Sequence, residues 1–130
     1  MSSEIKLKKL KRNLKENLVI DITKNTEPAP NLGSRFGQDV EAKGTYVIQG
    51  KVDMPGYVNG KANLRNPLFI NVTEVILTKY KNELAKEYNA KGQKLTDRLM
   101  NLGYDAIVTV LENGEYGEIV LFPNASFMLR

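Results

Sequence analysis

The sequence predicts an α+β domain, a mostly antiparallel, split β-sheet with two consecutive helices segregated against it. Three observations predict it. Short apolar runs bounded by turn residues fill the chain up to Asn71, the apolar spacing then changes to that of a helix, and short apolar runs return after Gly103. No internal repeat, low-complexity run or interdomain linker interrupts this order, and 130 residues suit a single domain with one ordinary core.

The first segment, residues 1–16, has Leu7, Leu10 and Leu14 at helical spacing among lysines and reads as a basic amphipathic helix or arm. It holds six basic side chains against two acidic ones, while the remaining 114 residues hold 13 of each. The net charge of +4 therefore belongs to one segment and not to the body of the fold, residues 17–130. Two readings stand for this arm. It is a packed first helix with a solvated lysine face, or it touches nucleic acid, an anionic surface or a partner subunit, adding affinity without reading bases.

Leu18–Ile22, enriched in branched residues, is the first strand. Thr23–Leu32 has loop composition. In Gly33–Asp39 two glycines flank Arg35 and Phe36, a loop that either lets backbone approach a ligand or simply turns at the surface. Gly44–Val52 is the second strand, with Tyr46 and Ile48 on one face and Thr45 and Val47 on the other. Pro55-Gly56 suits the centre of a type II turn, Tyr57–Leu64 is a weak strand, and Pro67 opens a short apolar strand.

Asn71 or Thr73 caps a helix whose Ile76, Tyr80, Leu84 and Tyr88 recur every four residues, and Lys91-Gly92 ends it. A second helix, about Gln93–Leu102, stops at Gly103. A β-hairpin follows around Glu112-Asn113-Gly114-Glu115, where the Asn-Gly pair suits positive φ, and Glu118 stands at the entrance of its second strand. Residues 124–130 make a last short strand or tail.

Composition narrows the chemistry. The chain has no cysteine and no histidine, so disulfides, thiolate sites, histidine bases and histidine metal ligands are excluded, and no acidic cluster has the spacing of a calcium loop. No apolar run is long enough to span a bilayer, and no secretory signal is recognisable; the expected location is a reducing cytoplasm or the inside of a particle assembled there.

Gly103-Tyr104-Asp105-Ala106-Ile107-Val108 and Glu118-Ile119-Val120-Leu121-Phe122-Pro123, with Gly44-Thr45-Tyr46-Val47 and Asn66-Pro67-Leu68-Phe69-Ile70 upstream, resemble the motifs of ADP-ribosyltransferase-like domains of phage and mobile-element proteins. The resemblance implies an NAD-binding cleft between two small sheets. It implies Glu118 as the catalytic carboxylate and Tyr46, following Gly44, as an aromatic that stacks on nicotinamide. The family's first strand usually offers histidine or arginine to the NAD ribose; this chain has Asp21 there, which donates nothing when ionised, and Arg35 is the candidate replacement cation.

Two functions follow as expectations. The first is a non-catalytic binding or structural protein of phage type, a virion component or an inhibitor of a host defence complex, with a protein partner. The second is an active mono-ADP-ribosyltransferase that uses NAD to modify a host protein or nucleic acid. On the residues alone, Tyr46 is a half-buried strand tyrosine or a stacking group, and Glu118 a solvent-facing strand carboxylate or a reacting one.

Overall fold

The computed structural model describes residues 8–10, 16–26, 40–72 and 80–129. Seven strands form one curled sheet: β2 (Leu18–Asn25), β3 (Thr45–Gln49), β4 (Tyr57–Leu64), β5 (Pro67–Asn71), β6 (Ala106–Val110), β7 (Tyr116–Leu121) and β8 (Ser126–Leu129). A short strand β1 (Lys8–Leu10) adds to the edge, and the order is β1-β5-β6-β7-β3-β2-β4-β8. Every pairing is antiparallel except β5 with β6. A parallel pair needs a long crossover, and here the connection carries both helices, α1 (Tyr80–Tyr88) and α2 (Gln93–Asn101).

The two halves of the sheet meet only where β2 pairs with β3, at Ile22–Gln49 and Thr23–Ile48. The sheet curls there, so its inner face closes on itself. Alternate residues of facing strands fill the interior: Ile20 and Ile22, Val47, Leu64, Val108 and Ile119 are all buried together. A second core lies between the helices and the outer face of β5, β6 and β7, where Tyr80, Leu84, Leu95 and Leu99 pack on Ile70, Ile107, Val120 and Phe122. The runs Pro67–Asn71 and Ala106–Val110 are buried on both faces for that reason.

The segment read as a basic helix behaves differently where it is described. Lys8–Leu10 is a strand, antiparallel to Phe69–Asn71. Without it β5 would be an edge strand with a row of unpaired N–H and C=O groups, and pairing with those groups outweighs the helical spacing of the leucines. Residues 1–7 and 11–15 of the segment lie outside the described residues, as do Arg35 with its glycine-flanked loop, and Thr73 and Ile76 at the start of the first predicted helix.

Turn chemistry follows expectation with two refinements. Gly56 has φ 86° after Pro55, and the Tyr57 N–H donates to the Met54 carbonyl, as in a type II turn. Helix α1 ends earlier than Gly92, because Asn89 takes the left-handed conformation (φ 51°). In the hairpin only Gly114 has positive φ; the Gly114 N–H donates to Leu111 and the Leu111 N–H to Glu115, a three-residue loop in place of a two-residue one.

Candidate functional site

Glu118 faces the helices because it alternates with Ile119, which points into the inner core, and a β-bulge follows toward the hairpin tip. Val108 pairs with Ile119 but Val110 pairs with Tyr116, so β7 carries one extra residue across this step. The Thr109 hydroxyl donates to the Glu118 carbonyl at 2.8 Å and holds the bulge. Gly117 is required there, since a Cβ would lie 2.8 Å from Thr109 Oγ1. The carboxylate lies against α1 and is only 31% exposed.

Three groups meet it. The Tyr80 hydroxyl, on a fully buried side chain of α1, donates to Glu118 Oε1. The ammonium of Lys81, the next residue, lies 3.3 Å from the same oxygen and 2.6 Å from Glu41 Oε2. That ammonium also sits 4.9 Å from the centre of the Tyr46 ring. A cation between two carboxylates and over an aromatic face is favourable on both counts, and at 14% exposure Lys81 is little screened by water.

The short segment before β3 is pinned so that Glu41 reaches this cation. The Gly92 N–H donates to the Val40 carbonyl at 3.2 Å, and the Thr96 hydroxyl donates to the Lys43 carbonyl at 2.8 Å. The Tyr46 hydroxyl turns back to the Ala42 carbonyl at 2.5 Å. Gly44 belongs to the same arrangement: a Cβ would lie 2.6 Å from the Leu121 carbonyl oxygen, so glycine lets this segment lie against β7. Its place is explained by backbone contact within the chain.

Burial holds the Tyr80 phenol well above its usual value of 10.0, reinforced by the Glu118 charge and by the hydrogen bond to it. Burial, with the charges of Glu41 and Glu118, does the same to Tyr46. Both phenols stay protonated at neutral pH and act as donors, not bases. The cluster is thus an acceptor, Glu118, already supplied with a neutral donor and a cation.

Of the residues singled out from sequence, Tyr46, Gly44 and Glu118 come together. Asp21 does not join them. It alternates with Ile20 and Ile22, which point inward, and lies in a row with Lys61 and Met128 on the half of the sheet that the helices leave uncovered. There it pairs loosely with Lys61 (3.9 Å) and lines a separate cavity of about 490 Å³ with Lys51, Asn59 and Gly60. The space between the two half-sheets, where the resemblance implies a cleft, is filled by the inner core. Among the described residues no group of three or more His, Cys, Asp or Glu is placed to hold a metal, and no helix is long and apolar enough to cross a membrane.

Sequence reasoning missed Tyr80, Lys81 and Glu41. Tyr80 left a signal: a tyrosine on the buried stripe of a helix needs an acceptor for its hydroxyl, and Glu118 is that acceptor. Lys81 and Glu41 left none. The chain matches no known family model, no curated protein and no solved structure.

Proposed function

We propose that this chain is a non-catalytic binding or structural protein of phage type, built on an ADP-ribosyltransferase-like scaffold and working through a protein partner as a virion component or an inhibitor of a host defence complex. The observation that carries the non-catalytic part is the engagement of Glu118 by Tyr80 and Lys81. A carboxylate that is to stabilise a developing positive charge must meet the substrate with its own charge uncompensated. Here a resident ammonium, shared with Glu41, offsets part of that charge, and the same ammonium lies over the ring of Tyr46. The separation of Asp21 from this cluster points the same way.

The test is calorimetric titration of the full chain with NAD, alongside label transfer from NAD in a host lysate. No heat of binding and no transfer, together with one defined complex recovered at fixed stoichiometry from infected or expressing cells, is the expected result. Label transfer abolished by Glu118→Ala overturns it. One observation favours the second reading, an active mono-ADP-ribosyltransferase: Tyr46 and Glu118 lie on one face and share Lys81. In that reading Lys81→Ala frees both groups and raises transfer.

A further inference from the structure

A cavity of about 510 Å³ opens between the end of α1 and the start of α2. Lys86 on α1, Lys91 in the connection and Lys94 on α2 line it, and among the described residues no carboxylate does. Val40 and Ala90 give it an apolar floor, and Asn89 adds an amide. The body of the chain is balanced in charge, so three cations on one concave surface are a local concentration and not a reflection of overall basicity. Lys86 is also 3.7 Å from Glu83, and Asp97 on α2 accepts from Gln93 at 2.8 Å. Among the described residues neither Lys91 nor Lys94 has an ion-pair partner.

A second observation strengthens the first. A helix start prefers anions, because its free N–H groups and macrodipole are positive there. Helix α2 starts at Gly92 (φ 61°) with no side-chain cap and no acidic residue in its first turn; Lys91 precedes that glycine and Lys94 follows Gln93. Lys94, in the first turn of α2, is a cation where a helix start disfavours one, whereas Lys86 and Lys91 close α1, where cations are favoured; an anionic ligand in the adjoining cavity would offset the cost at Lys94.

We propose that this cavity binds the pyrophosphate group of a small molecule, held by Lys86, Lys91 and Lys94 with any organic part resting on Val40 and Ala90. The site is separate from Glu118 and stands whether or not that residue reacts. Ammonium groups bind phosphate as point charges, so affinity falls with added salt.

The experiment is calorimetric titration of the full chain with sodium pyrophosphate, ADP and adenosine. Pyrophosphate and ADP should bind, and adenosine should not. A tighter ADP complex identifies a nucleotide-type ligand, and equal affinities identify inorganic pyrophosphate. The variant Lys91→Ala/Lys94→Ala changes two exposed side chains. It should keep its circular dichroism and melting temperature while losing at least about tenfold in affinity. Glu118→Ala should bind as well as the parent chain. The proposal is overturned if pyrophosphate gives no heat, or if the double variant binds it unchanged. It is also overturned if a single-stranded oligonucleotide displaces pyrophosphate at lower concentration than ADP does, which would make the surface a nucleic-acid backbone contact.

Discussion

Tyr80 and Lys81, adjacent in sequence, address the same oxygen of Glu118, one through a phenol hydrogen and the other through an ammonium at 3.3 Å. Adjacent residues of a helix point about 100° apart, so both reach one atom only because that atom lies beside the first turn of α1, between their directions. Replacing the phenol removes one of the two donors and leaves the ring in place. Tyr80→Phe should cost about 1–2 kcal/mol, the low end for a hydrogen bond to a charged group because Glu118 keeps Lys81 and some water. Urea denaturation measures it, and a change below the error of that measurement would show the bond to be without weight.

The pair Lys81–Glu41, at 2.6 Å and mostly buried, should be coupled more strongly than a surface ion pair. A double-mutant cycle with Lys81→Met and Glu41→Gln should give an interaction of about 1 kcal/mol or more. The single Lys81→Met change should be the worse of the two, since it leaves two carboxylates without their shared cation.

Alkali should dissolve this cluster early. The folded Tyr80 phenol is held above 10.0 by burial and by Glu118, so the unfolded chain loses its proton first. The stabilisation is complete below the ordinary tyrosine value and is lost as pH rises from there toward the raised folded value. The unfolding free energy should be flat up to about pH 9 and then fall, by about 1.4 kcal/mol per pH unit once past the ordinary tyrosine value, for this residue alone. Tyr80→Phe should flatten that slope, and an unchanged slope in the variant would refute the assignment.

Asp105 is a second place where one side chain joins distant backbone. Its buried carboxylate accepts from the Arg65 N–H at 2.7 Å and the Asn66 N–H at 3.1 Å, tying the β4–β5 corner to the entrance of β6. Asp105→Ala should cost about 2–4 kcal/mol by leaving both amides unpaired, and Asp105→Asn should recover part of that through its remaining carbonyl. Thermal unfolding of the two variants tests the order.

Gly60 should tolerate nothing larger. An added Cβ would fall 1.7 Å from the Met128 carbonyl oxygen, within bonding distance, so Gly60→Ala must push β8 off β4. Hydrogen exchange should then lose protection at Phe127 and Leu129 while the β5–β6 pair keeps it.

Much of this fold was legible. The strands, the Pro-Gly turn, the two helices and the stop at Gly103 each have a local cause in glycine, proline or apolar spacing. The short N-terminal strand was not, because its pairing depends on the edge of β5 and not on its own spacing. The site was legible in part. Glu118 and Tyr46 stood out as polar groups in apolar strands, whereas Lys81 and Glu41 owe their roles to a meeting of segments 40 residues apart that no local pattern encodes. Asp21 stands where the resemblance implies a ribose-binding residue; it belongs to the half of the sheet made by β2, β4 and β8, and the alternation of β2 turns it to the outer face there. Asp105, part of the motif that suggested a reaction, has a backbone role that accounts for an aspartate there.

The extra residue in β7 also acts as a parity change. Tyr116 and Ile119 are three positions apart, yet both pack toward the inner core, which strict alternation forbids. Everything from the bulge to the hairpin tip therefore runs in one phase, and everything from Ile119 onward in the other. Deleting Gly117 would leave Tyr116 two positions from Ile119, so plain alternation would keep both inward and would keep the carboxylate that Tyr80 and Lys81 hold on the helix side. The extra residue is thus one that the faces of β7 do not require, and a chain lacking it should still bring Glu118 to Tyr80 and Lys81.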